Sequence, residues 1–214
     1  MMLVSVAVTA TDTHHAIEAA IDAVWRIEQA KLIAGLARMV RDVGLAEELA
    51  QDALVAALEQ WPQSGIPDKP GAWLMAAAKH RAIDRFRRAK LIDRKHAELG
   101  HELAAVGEAQ MPDLDAALDD DIGDDLLRLV FTACHPVLSR EAQVALTLRL
   151  IAGLKTDEIA RAFLVPEATI GQRIVRAKRT LSESGLAYET PRREQLSQRL
   201  ASVLEVVYLI FNEG

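Results

Sequence analysis

Apolar residues recur at three- and four-residue steps in successive blocks of this chain, the period of helices with one buried face. Ile17, Ile21, Val24, Leu32, Leu36, Met39 and Val43 keep that step and predict a first helix ending near Gly44. The stretch "LAEELAQDALVAALEQW" predicts a second helix, with Leu45, Leu49, Ala53, Ala56 and Ala57 inward. Glu48, Gln51, Asp52 and Glu59 fall on a separate, acidic face of it. "PQSGIPDKPG" is a loop by its Pro and Gly content, and Pro70 suits the first turn of a third helix. That helix, "AWLMAAAKHRAIDRFRRAKL", begins apolar and turns basic. Trp73, Leu74, Ala77, Ile83 and Phe86 are expected inside, and Lys79, Arg81, Arg85, Arg87, Arg88 and Lys90 outside.

Farther on, "DDLLRLVFTACHPVLSREAQVALTLRLIAG" predicts two helices broken at His135-Pro136, the second capped by Ser139. Residues 154–181, "LKTDEIARAFLVPEATIGQRIVRAKRTL", predict helix, short turn, helix. Thr156 is the expected N-cap, with Asp157 and Glu158 in the first turn. Ile159 and Ala160 face inward, Phe163, Leu164 and Val165 span the turn, and Pro166 opens the second helix with Glu167. Ile170 and Ile174 are its inner positions, and Thr169, Gln172, Arg173 and Arg176 point outward. This is the helix-turn-helix layout, whose second helix enters the major groove. Leu164 stands where a Gly of positive φ is common, so a rebuilt turn is expected. Finally, "REQLSQRLASVLEVVYLIFNEG" predicts an amphipathic tail helix with Leu196, Leu200, Val203, Leu204, Val207, Ile210 and Phe211 as a wide apolar stripe. Plain core packing is favoured for it over pairing with a second copy or a regulatory role.

Composition narrows the class. Half of the residues are apolar and only 4% aromatic, with Ala and Leu abundant, which favours an all-α fold. The single Cys134 excludes an internal disulfide framework and a multi-Cys zinc site and fits a reducing cytoplasm. Cys134 is expected in the core and His135 at a helix end, with no metal or cofactor. No apolar run approaches a membrane span, and the N-terminus lacks a basic signal region.

Charge adds the strongest clue. The chain holds 25 Lys and Arg against 31 Asp and Glu, yet residues 79–95 hold eight basic against two acidic. Residues 96–125 hold ten acidic and no basic residues, and residues 126–182 nine basic against four acidic. Clustered cations suit phosphates, from which they displace counterions; the plainer reading is a solvated helix face. The acidic strip reads as a soluble spacer that also covers basic surfaces in the free protein. On that reading, neutralising Asp119, Asp120, Asp121, Asp124 and Asp125 strengthens DNA binding. The expected organisation is a helical domain at 12–95, an acidic linker at 96–125, a helix-turn-helix domain at 126–186 and an extension at 187–214.

The stretches "DVGLAEELAQDALVAALEQW", "PGAWLMAAAKHRAIDRFRR" and "TDEIARAFLVPEATIGQRIVRAKRTL" together make the chain resemble the bacterial extracytoplasmic-function (ECF) sigma factors of RNA polymerase. The resemblance covers most of residues 18–182. It implies a sigma-2-like helical bundle and a sigma-4-like helix-turn-helix, binding core RNA polymerase and promoter DNA. Glu48, Gln51 and Asp52 match positions that dock on the β′ clamp. Lys79, His80, Arg81, Asp84, Arg85 and Arg88 match positions that recognise and open the −10 element. The helix starting at Glu167 would read the −35 element. Gly171, Gln172 and Val175 would face its bases, with Thr169, Arg173 and Arg176 near phosphates. The polymerase β flap is the further implied partner. His80 stands where the family usually has Asn, and Gly171 where it commonly has a polar reader. The tail resembles the start of a tetratricopeptide-like extension of one ECF subgroup and is a candidate regulator.

Two other readings compete. A helix-turn-helix regulator acting without core polymerase explains residues 154–181 but leaves residues 42–95 as scaffold. A helical enzyme using His14, His15 or His80 has no nucleophile–base pairing, metal spacing or phosphate loop to support it.

Overall fold

The computed structural model describes residues 10–99, 122–186 and 188–213. Among them all regular structure is helical. α1 (Ala10–Val40), α2 (Val43–Ser64) and α3 (Pro70–Leu99) come first. The turn from α1 to α2 falls at Arg41 and Asp42, a little before the expected Gly44. Arg41 is left-handed (φ 56°), and the extended Asp42 accepts the Leu45 N–H at 2.7 Å. That capped start leaves Gly44 inside α2. At its other end α2 runs on through Pro62, so the loop is shorter than the sequence predicts and begins at Gly65.

Small residues set how closely these helices pack. Ala46, Ala50, Ala53 and Ala57 of α2 are fully buried, as are Ile33, Ala34, Leu36 and Ala37 of α1. The small side chains of α2 let the two backbones approach closely, and α1 against α2 is the most extensive helix pairing among the described residues. α3 adds Leu74, Ala78 and Ala82 to this core, while Ala77, Ile83 and Phe86 are half-buried. Buried Trp61 meets the edge of Trp73 with ring centroids 5.2 Å apart and closes the end of the bundle.

The second half holds α4 (Ile122–Ala133), α5 (Arg140–Leu150), α6 (Thr156–Ala162), α7 (Glu167–Glu183) and α8 (Arg193–Glu213). α4 begins inside the acidic strip. Asp124 and Asp125 sit in its first turn, where carboxylates suit the helix dipole, and both pair with Arg128. Residues 100–121, with Asp119, Asp120 and Asp121, lie outside the described residues. The chain breaks at His135-Pro136, and Ser139 caps α5 by accepting the Ala142 N–H. Cys134 is buried against the Thr147 hydroxyl, and burial pushes its thiol pKa up. The first helix-turn-helix element starts differently from expectation: Lys155, not Thr156, is the N-cap, because the Glu158 carboxylate accepts the Lys155 N–H at 2.7 Å. The turn is not rebuilt either. Leu164 keeps the left-handed backbone (φ 52°) and stands 92% exposed.

One continuous apolar core joins the two halves, because α1 packs on α4 as well as on α2 and α3. Polar contacts run beside it. Arg38 pairs with buried Asp125 at 3.2 Å, and the Tyr188 hydroxyl donates between Asp125 O (3.1 Å) and Ala34 O (3.3 Å). The Gln29 amide donates to Arg149 O at 3.2 Å.

The tail corrects an expectation. α8 packs on α4 and α5 by one edge, with Val206 buried and Val203, Leu209 and Ile210 half-buried. Arg140 pairs with Glu205, and Arg199 donates to Phe131 O at 2.6 Å. Leu196, Leu200, Leu204, Val207 and Phe211, expected in the buried stripe, are exposed. Those polar anchors and Val206 fix α8 by a narrower edge than its full stripe. Among the described residues no helix is long and apolar enough to cross a membrane.

Candidate nucleic-acid interface

The turn between α6 and α7 is held by backbone bonds that leave the α7 surface clear. Leu164 N–H donates to Arg161 O and Val165 N–H to Ala160 O, so the chain reverses within Phe163–Pro166. Ile159, Ala160, Ile170 and Ile174 are buried and seat the pair of helices. Outward from α7 stand Glu167, Thr169, Gln172, Val175 and Arg176, all exposed. Arg173 is half-buried, with its guanidinium 5.4 Å from the centroid of Phe163. Stacking on a ring holds the planar group in one orientation; its Nη1 is buried without a hydrogen-bond partner, so only the other N–H groups are left to bond a phosphate or a guanine. A Cβ added at Gly171 would meet nothing within 4 Å, so that position is a gap in the outward face.

Beside this face lies the N-terminus of α5. The Glu141 carboxyl is held below its usual range by its own backbone N–H and the Ser139 hydroxyl, with Arg173 adding. A groove lined by Ser139, Thr169, Gln172, Arg173 and Arg176 runs between the two helices. Its cationic side is α7, as docking on a polyanion requires.

The second cationic face is on α3. His80, Asp84, Arg85, Arg87 and Arg88 are exposed, and Lys79 and Arg81 are half-buried. A run of exposed guanidiniums on one helix can follow a phosphate backbone. Lys90, expected among them, has no described side chain.

Glu48, Gln51 and Asp52 are exposed together on α2. Two of them touch other predicted residues or their neighbours. Arg85 of α3 donates to Glu48 at 2.7 Å, and the Gln51 amide donates to Glu47 at 3.0 Å. A residue of the −10 set and one of the polymerase set are therefore partners.

Glu47 itself was missed by sequence reasoning. It is 2% exposed and meets Arg149 of α5 at 2.8 Å and Lys178 of α7. Its signal was a carboxylate in an apolar register, since Val43, Glu47, Ala50 and Ala57 share the buried face of α2. Among the described residues no group of three or more His, Cys, Asp or Glu is placed to hold a metal ion.

Comparison with known proteins places both cationic faces in one family. Residues 25–92 match Sigma-70 region 2, and residues 128–181 match Sigma-70 region 4. An uncharacterized protein, R00370, of Rhizobium meliloti (strain 1021) is 40% identical over 187 residues, 84% of this chain and 42% of that protein. The probable ECF RNA polymerase sigma factor SigI of Mycobacterium tuberculosis (strain ATCC 25618 / H37Rv) is 30% identical over 169 residues, 78% of this chain and 56% of that protein. The chain thus spans about half the length of these relatives. With regions 2 and 4 both matched in order, together over more than half of its residues, the chain belongs to the sigma-70 family, in the two-region ECF type.

Proposed function

We propose that this chain is a promoter-specificity subunit that joins core RNA polymerase, reads the −35 element through α7, and recognises and melts the −10 element through α3. The observation that carries the reading is the pairing, on one chain, of two separate exposed cationic helix faces with an exposed carboxylate and amide face on α2. Melting costs roughly 1.4 kcal/mol per base-pair step in stacking. The arginines of α3 offset part of that by holding the freed strand, and His80 bonds an unstacked base. Glu48, Gln51 and Asp52 dock on the β′ clamp, and the second domain meets the β flap. The chain contributes binding and no bond chemistry, and it works in the cytoplasm. α8 belongs to a tetratricopeptide-like extension that regulates the second domain, to which it is tied through Arg140 and Arg199.

Run-off transcription with core polymerase on a pool of genomic fragments tests the reading. The expected result is transcripts whose upstream DNA shares a −35 and a −10 motif. DNA binding by the chain without polymerase association or transcripts would favour a helix-turn-helix regulator working alone. Deleting residues 192–214 is expected to change promoter activity or solubility; no change in either removes the proposed role of the extension.

A further inference from the structure

The polymerase-docking helix and the DNA-reading helix are tied to one another. Glu47 projects from α2 into the boundary between the two domains and is almost fully buried there. One carboxylate oxygen accepts from Arg149 Nε at 2.8 Å and from the Gln51 amide at 3.0 Å, and the Lys178 ammonium lies against the other. Arg149 comes from α5 and Lys178 from α7, so both cations belong to the second domain. Lys178 also lies over Gly44: a Cβ placed at Gly44 would be 3.8 Å from the Lys178 Cβ. α7 thus rests on the first turns of α2.

Two consequences bear on binding. Gln51 spends its amide on Glu47, and Glu48 is held by Arg85, so two of the three matched docking residues are engaged within the chain. The second consequence is one of length. Elements centred at −35 and −10 are about 25 base pairs apart, about 85 Å along B-form DNA. A chain of this length folded around one core is about 45 Å across. With its domains in contact, the protein cannot lie on both elements together.

We infer that Glu47 is an electrostatic latch that holds the free protein closed, and that binding to core polymerase and to a whole promoter requires it to release Arg149 and Lys178. This rests on the function proposed above. The apparent affinity for polymerase is then the intrinsic affinity reduced by the fraction of open molecules. A buried carboxylate with two cations suits a latch because it is stable while both partners stay. It becomes costly once they leave, unless water or a new partner takes their place.

A disulfide between the domains tests this in the full-length chain. Gly44→Cys with Lys178→Cys places two Cβ atoms within the 3.5–4.5 Å span of a disulfide, and buried Cys134 does not compete. The pair is expected to oxidise readily. The oxidised protein should bind core polymerase at least about tenfold more weakly than the same protein reduced. Failure to cross-link overturns the closed state, and equal binding in the two redox states overturns the latch. Absence of binding in both states overturns the polymerase reading and the latch with it, and is recognisable because the cross-link still forms. Lys178→Glu supplies a second route. Its carboxylate opposite Glu47 should enlarge the radius of gyration in solution scattering and tighten polymerase binding about fivefold or more. Unchanged size and affinity in that variant also refute the latch.

Discussion

Leu164 carries strain that nothing around it repays. Its left-handed backbone costs an L-residue about 1–2 kcal/mol, and its side chain, 92% exposed, recovers no packing. Leu164→Gly is therefore expected to raise stability by up to about 1 kcal/mol, after the extra chain entropy of glycine, and Leu164→Val to lower it by about 1 kcal/mol. Urea denaturation of the two variants checks the pair, and the same rank in both directions would refute it. His135 predicts a pH effect. Burial, with Arg199 adding, lowers its pKa from 6.5 to about 4, and its Nδ1 accepts the Val137 N–H. The fold prefers the neutral ring. Its contribution is complete above pH 6.5, falls as pH drops toward about 4, and changes no further below that. His135→Asn keeps an acceptor and does not titrate, so wild type should lose melting temperature relative to it across that window. A gap that ignores pH would count against the assignment. Glu47 shows what one-residue reading lacks: the sequence places a carboxylate in a buried register but does not name the cations 102 or more residues away that make the burial tolerable.

At the scale of elements most of the architecture was legible. The break at His135-Pro136, the Ser139 cap and the Pro70 helix start follow from residues that cannot do otherwise. The errors fell at ends and edges. α1 ends at Val40 because Asp42 caps the next helix, and Lys155 replaces Thr156 because a side chain three residues on closes the cap. α8 is the instructive case. A wide apolar stripe fixes the helix but not which edge finds a neighbour, and that choice was made by Val206 with Arg140 and Arg199. The two edges should respond differently to substitution. Val206→Ala empties a filled site and is expected to cost about 2 kcal/mol, whereas Leu204→Glu, at a position 58% exposed, should stay within about 0.5 kcal/mol of wild type. Thermal unfolding of both separates them, and equal losses would mean that the exposed edge is also packed.

Over the whole molecule, the two-domain plan was legible and the contact between the domains was not. Helical periodicity and charge blocks report what each segment does alone. Beside the shared apolar core, the join is made by pairs far apart in sequence: Arg38 with Asp125, Gln29 with Arg149, Glu47 with Arg149 and Lys178, and Tyr188 with Ala34 and Asp125. Tyr188 is informative because its ring and hydroxyl serve both halves, and burial, with Asp125 beside it, pushes its pKa well above the usual phenol value. Tyr188→Phe removes the bond and leaves the ring, so it should cost about 1 kcal/mol and speed exchange of amides along the α1–α4 seam. Unchanged exchange there would show that the apolar contacts alone hold the halves together.

Gly171 sits on the outward face of α7 with free space where a side chain would project. Filling it disturbs no neighbour, and most residues favour a helix interior over glycine by up to about 1 kcal/mol. On the proposed reading of the −35 element through α7, the address has a blank character in it, one that a single codon change can write without unsettling the fold that presents it.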